Sequence, residues 1–141
     1  MRTFYIFKIN TILNPIYKTN KTAVFKILSN INKYSSKEYK LAKRIYHKII
    51  IPIDKDKINN YILNIHLNDI YYKKELNKHI LDSSLEKSVL IINNTYIKIQ
   101  TSNNISSFFK DLIPICNDMF CIDFKSIDYF YLKDLGSKVL V

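Results

Sequence analysis

Three histidines (His47, His66, His79), two cysteines (Cys116, Cys121) and the carboxylate pair Asp123 and Asp128 are the side chains best suited to chemistry in this 141-residue chain. The histidines stand 19 and 13 residues apart, without the short spacing that puts two imidazoles on one helix face, so they form no local metal site. Each is expected to be an exposed or hydrogen-bonded ring. The cysteines have no second pair and no histidine nearby, which argues against zinc; both are expected reduced and packed as small hydrophobes. Paired carboxylates can do acid/base work. Flanking the segment Lys125–Asp128, however, Asp123 and Asp128 read more simply as hairpin-turn residues. Ser83-Ser84 and Ser106-Ser107 lack the glycine-flanked elbow of a nucleophile and read as caps. A single glycine, Gly136, excludes the phosphate loops and dinucleotide turns that need several. The expectation is a protein that is not an enzyme and has no cofactor or metal.

Any site must be positioned by the elements that periodicity predicts. Thr3–Ile9 alternates aromatic and β-branched residues and reads as an opening strand. Asn10 or Thr11 is expected to cap a short helix, Ile12–Lys18, with Pro15 tolerated in its first turn. Val24, Ile27, Leu28 and Ile31 mark a helix over Lys21–Lys33. A start at Ser35 or Ser36 with Glu38, then Tyr39, Ala42, Ile45, Tyr46 and Ile49, marks another that runs to Ile50 and ends before Pro52. Asp54 is the expected N-cap of Lys55–His66. Residues 69–82 are ambiguous, with short strands at Tyr71–Lys73 and Lys78–Leu81. Val89–Ile92 and Tyr96–Gln100 around Asn93-Asn94 read as a hairpin. Ile105–Ile115 is expected helical and stopped by Pro114, and Phe120–Phe124 with Tyr129–Leu132 forms a last hairpin. The sum is a single α+β domain over residues 1–141: a largely antiparallel sheet with helices packed on it, helical first and hairpin-rich second.

Charge separates the same two halves. Of the net +10, residues 1–70 carry +9 (13 Lys/Arg against 4 Asp/Glu) and residues 71–141 carry +1 (9 against 8). Base composition that favours Lys, Asn, Ile and Tyr codons acts on both halves alike, so the asymmetry points to a basic face that meets something acidic. One reading is a small nucleic-acid- or ribosome-binding protein: Tyr34, Lys37, Tyr39, Lys40, Lys43, Arg44, Tyr46 and Lys48 interleave cations with rings. Against it, Tyr39 and Tyr46 fall at core spacing, and only Arg44 in this stretch supplies the bidentate fork that phosphate and base readers favour. The start MRTFYIFKIN has no apolar signal core, and no apolar run approaches membrane-spanning length, so the expected location is cytoplasmic.

Two segments carry a more specific likeness. Phe4, Tyr5 and Phe7 followed by Leu13 and Tyr17 at one end, and at the other the Tyr96-Ile97-Lys98-Ile99 strand, Phe108-Phe109, Phe120-Cys121-Ile122-Asp123-Phe124 and Tyr129-Phe130-Tyr131-Leu132, resemble the SirA family of sporulation inhibitors of replication. The resemblance implies a regulator that binds the N-terminal domain (domain I) of the replication initiator DnaA and blocks initiation during sporulation. It also implies a contact surface formed by Leu13 and Tyr17 on the first helix with Lys43, Tyr46 and Pro52 around the third. Such a protein would be a monomer or a heterodimer with its partner, with direct nucleic-acid binding not expected. Leu13 and Tyr17, four apart, would share one helix face, and the basic half would steer an acidic partner.

Overall fold

The computed structural model describes residues 1–33 and 39–139. Alternating apolar residues build the strands β1 (Arg2–Ile9), β2 (Ile50–Ile51), β3 (Tyr72–Glu75), β4 (Lys78–Asp82), β5 (Lys87–Ile92), β6 (Ile97–Thr101), β7 (Phe120–Asp123) and β8 (Asp128–Tyr131). They form one antiparallel sheet in the order β3-β4-β5-β6-β1-β7-β8, with β2 paired to the end of β1 through Lys8↔Ile51 and Ile9↔Ile50. The helices are α1 (Lys21–Lys33), α2 (Tyr39–Ile49), α3 (Lys55–Ile65), α4 (Phe108–Cys116) and α5 (Leu132–Val139). The architecture is the expected α+β fold, with strands dominating the C-terminal half.

The period of two on β1 divides the core. Phe4 and Ile6 point into a cluster with Ile58, Ile62, Leu112 and Leu132, so α3, α4 and α5 cover that face. Phe7 and Ile9 point the other way, into a cluster with Val24, Leu28 and Ile49 from α1 and α2. β1 and β7 are therefore covered on both sides, whereas β4, β5 and β6 alternate buried with half-exposed residues and are covered on one side only. Lys73, Lys74 and Glu75 keep the β3 edge charged, which discourages strand addition there.

Several boundaries differ from the sequence expectation. α2 ends at Ile49 because Ile50 is drawn into the β2 pairing with β1. The expected start of α2 at Ser35 or Ser36 with Glu38, and the side chains of Tyr39 and Ala42, lie outside the described residues. α4 begins at Phe108, three residues late, and runs through Pro114 to Cys116: burial of Ile113 and Cys116 outweighs the one helical hydrogen bond that proline forfeits. The ambiguous stretch is a hairpin, β3–β4, turned by Leu76 at φ 55°, and the β7–β8 turn holds Ile127 at φ 53°. In a chain this poor in glycine, ordinary residues take the left-handed positions, and the usual turn signal is lost. The final hairpin gives way at Leu132 to α5, which includes Gly136 and was not expected. The Asp54 cap is as expected, its Oδ1 accepting from the Lys57 amide at 3.3 Å.

Candidate partner-binding site

The segment after β1 is held by its own polar groups. The Asn10 amide donates to the Ile49 carbonyl at 2.6 Å, tying the loop to the end of α2, and Asn10 Oδ1 accepts from the Leu13 amide at 3.2 Å. A tight turn over residues 11–13 is followed by a single 3-10 turn, Pro15–Lys18. The expected helix Ile12–Lys18 does not form because a residue before proline avoids the helical region, and Asn14 sits at φ −131°, ψ 74°. Leu13 and Tyr17 are thus not neighbours on one α-helical face. Leu13 lies on an apolar tip with Ile12 and Ile16, exposed by 70, 85 and 62% respectively, while the Tyr17 carbonyl accepts a hydrogen bond from the Tyr131 hydroxyl that fixes the segment to β8. The half-buried Tyr17 ring borders a groove of about 310 Å³ with Ile27, Ile31, Ile45, Lys48 and Ile49.

The second half of the expected surface is α2. Ile49 enters the core and Ile45 packs against it. That leaves Lys43, Arg44, His47 and Lys48 on an exposed basic ridge. Tyr46 is half-buried. It packs edge-on against Phe7 at 6.3 Å, and its hydroxyl donates to the Thr95 carbonyl at 3.3 Å. Burial, then the nearby Tyr96, push its pKa up against the Thr95 hydrogen bond. Tyr46 also lines a second, aromatic groove of about 470 Å³ with Tyr5, Phe7, Tyr96 and Phe124. Pro52 is exposed beyond β2. The structure thus places Tyr17 and the base of α2 around one groove, with Lys43 on the helix ridge and Leu13 on the adjoining tip. Tyr46 lines the aromatic groove instead, and Pro52 lies beyond the helix end. Ile12 and Ile16, absent from the expected set, extend its apolar part; their signal was two aliphatics flanking a proline in a polar loop.

The remaining polar side chains are used to hold the fold. Arg2 Nε donates to Asp123 at 2.8 Å, its Nη2 to Asp128 at 2.6 Å and its Nη1 to the Asn104 side chain at 2.8 Å, with the guanidinium over the Phe4 ring. Burial alone would raise the Asp123 pKa, but the Arg2 bond and the Ser126 amide hold it below the usual carboxylate range. The pair is a clasp on a guanidinium, a geometry for binding charge rather than moving protons. Ser106 accepts from the Phe108 amide as expected of a cap, while the Ser107 amide and hydroxyl donate to Glu86, which also accepts from Ser88 and Ser106. Ser83 accepts from the Leu85 and Glu86 amides in the β4–β5 turn. Burial pushes the Cys116 thiol up to about 12 and raises Cys121 as well, which removes thiolate reactivity.

His47 is exposed, and His66 and His79 are hydrogen-bonded rings. His66 lies between Asp111, at 2.6 Å, and Asp69, at 3.2 Å, and stacks on Tyr72 at 4.8 Å. His79 is fully buried: its Nε2 donates to Asn59 Oδ1 at 2.7 Å, leaving Nδ1 to accept from the Tyr72 hydroxyl at 2.6 Å. Among the described residues no three His, Cys, Asp or Glu side chains cluster to hold a metal, and no helix is long and apolar enough to cross a membrane.

The model of the family described as sporulation inhibitor of replication protein SirA matches residues 2–135, nearly the whole chain. The chain belongs to the SirA family. No curated protein matches it. The family is one of regulatory proteins, named for inhibition of replication in sporulation, and the match runs from β1 through the first residues of α5. The exposed apolar tip and the basic ridge of α2 both lie within the matched residues.

Proposed function

We propose that this SirA-family chain binds domain I of the replication initiator DnaA and thereby inhibits initiation of chromosome replication during sporulation, as a protein ligand and not as an enzyme. The observation that carries the reading is the exposed tip of Ile12, Leu13 and Ile16, tied by the Asn10 amide to the end of α2, the helix that exposes Lys43, Arg44 and Lys48. Three large aliphatic side chains held in water by a hydrogen-bonded loop are unfavourable in a free monomer and favourable once a partner covers them. The rim of lysines would draw in an acidic surface and raise the association rate. Tyr17 and Tyr46, braced by Tyr131 and Phe7, would serve as rigid side walls, and Pro52 would mark the far edge. The surface presents convex aliphatic side chains with lysines, a combination suited to a protein groove more than to phosphates and bases. The test is gel filtration of the purified chain with purified domain I. Co-elution in a stoichiometric complex is expected; separate elution at micromolar concentrations of both would reject the reading.

A further inference from the structure

On the side of the sheet that α1 and α2 occupy, the helical layer stops at β1. The strand registers carry that side onward through Lys73 and Glu75 of β3, Lys78, Ile80 and Asp82 of β4, Lys87, Val89 and Ile91 of β5, and Lys98 and Gln100 of β6. Their opposite-facing neighbours, such as His79, Leu90 and Ile99, are fully buried, whereas Ile80, Val89 and Ile91 are only half-buried. Among the described residues no helix rests on them. An antiparallel sheet tolerates one wet face, but such a face normally reads polar. Here its centre is β-branched and aliphatic.

We propose that this half of the sheet is a second docking surface, and that it takes an amphipathic helix of a partner protein with glutamates or aspartates beside its apolar stripe. The charge on the face decides the chemistry of the occupant. Lysines 73, 78, 87 and 98 surround the aliphatic centre against only Glu75 and Asp82, and Lys73 already pairs with Glu75 at 2.8 Å. Among the described residues Lys78, Lys87 and Lys98 have no carboxylate within ion-pair distance, although Lys98 Nζ lies 5.8 Å from the centre of the Tyr5 ring, so a facing acidic rim finds cations not held by a counter-ion. A second copy of this chain would set lysines against lysines. Nucleic acid is disfavoured because the face has no arginine, and its β4–β5 centre offers branched aliphatics where bases need flat rings. A helix fits because α1 and α2 already form a helical layer over the neighbouring strands, and an incoming helix would continue that layer across β6 and β5. The aromatic groove between Tyr5 and Tyr96 borders the face and offers a socket for one large apolar side chain. The surface lies on strands that carry none of the residues assigned to the initiator-binding site, and only the bordering groove shares one of them, Tyr46; shifts at Ile80, Val89 and Ile91 therefore report on the sheet face alone.

The probe is a synthetic helical peptide with leucines at i, i+3, i+4 and i+7 and glutamates flanking them, compared with the same peptide carrying lysines for the glutamates and with an oligothymidine. Titration of the full chain followed by amide NMR and calorimetry should show the acidic peptide shifting Ile80, Val89, Ile91 and Lys98 and the lysine peptide leaving them unmoved. Ile91→Glu should weaken the acidic peptide at least about tenfold by placing a carboxylate in the contact centre. Lys98→Glu, a change on the half-exposed rim that spares the core, should weaken it and restore some binding of the lysine peptide. Equal binding of both peptides, shifts confined to other surfaces, tighter binding of the oligothymidine, or no binding of the acidic peptide at millimolar concentration would each overturn the proposal.

Discussion

Burial of the neutral His79 ring makes stability fall on mild acidification, and the size of the fall can be worked from the structure. Burial of the ring, followed by the electrostatic influence of Lys74 and then His66, lowers its pKa from 6.5 to about 4. In the unfolded chain the imidazole protonates near pH 6.5, so between that pH and 4 the unfolded state binds a proton that the folded state refuses. The stabilisation is complete above pH 6.5 and is lost as pH falls towards 4. Between pH 7 and pH 5 the linkage amounts to about 2 kcal/mol from this one residue. The carboxylates Asp69, Glu86 and Asp123, all held below their usual range, lose their contribution only at lower pH. Asp111, raised by burial against the pull of His66, works in the opposite sense. Urea unfolding at pH 7 and pH 5 should therefore show a large loss for the parent chain. In His79→Gln, which keeps a hydrogen-bonding side chain without titrating, the loss should be smaller by about 2 kcal/mol, even if the variant is weaker at pH 7. An identical pH 7 to pH 5 difference in both proteins would refute the assignment of a neutral, buried His79.

Three further outcomes follow from the same coordinates. Asp123→Ala removes the acceptor for Arg2 and for the Lys125 and Ser126 amides at a site 2% exposed, and should cost about 3 kcal/mol in thermal or urea unfolding. Ile127→Asn replaces a β-branched residue at φ 53° with one that accepts the left-handed region, and should raise stability by about 1 kcal/mol; no gain would mean that the turn is not strained. Tyr17→Ala should weaken initiator binding at least about tenfold in a calorimetric titration. Its far-ultraviolet circular dichroism should be unchanged, because the anchoring Tyr131 contact is to the Tyr17 carbonyl, which alanine keeps.

Elements with strong apolar alternation or periodicity were legible in the sequence: β1, the β5–β6 hairpin, α1 and α3 lie close to where the pattern places them, and the Asp54 cap is in its expected role. The failures have separate physical causes. Glycine normally marks left-handed turns, and here Leu76 and Ile127 occupy them, so the strands of the β3–β4 and last hairpins were legible but the turns that join them were not. Proline misled in both directions. Pro15 disrupts a helix that periodicity favours by constraining Asn14, whereas Pro114 is carried inside α4 because the residues around it are buried. The polar clusters were the least legible. Nothing in the spacing of His66, Asp69 and Asp111, or of Asn59, Tyr72 and His79, indicates that α3, β3, β4 and α4 converge on them. Of the proposed site, Leu13 and Tyr17 could be named from the sequence, but the exposure of Leu13 depends on a turn where a helix was expected.

The most direct test is isothermal titration of the purified chain with domain I of the replication initiator, in parallel with Leu13→Glu. One-to-one binding at micromolar affinity or tighter, abolished when a carboxylate replaces the most central side chain of the Ile12–Ile16 tip, is the predicted result. Absence of binding by the parent chain, or equal binding by both proteins, would contradict it.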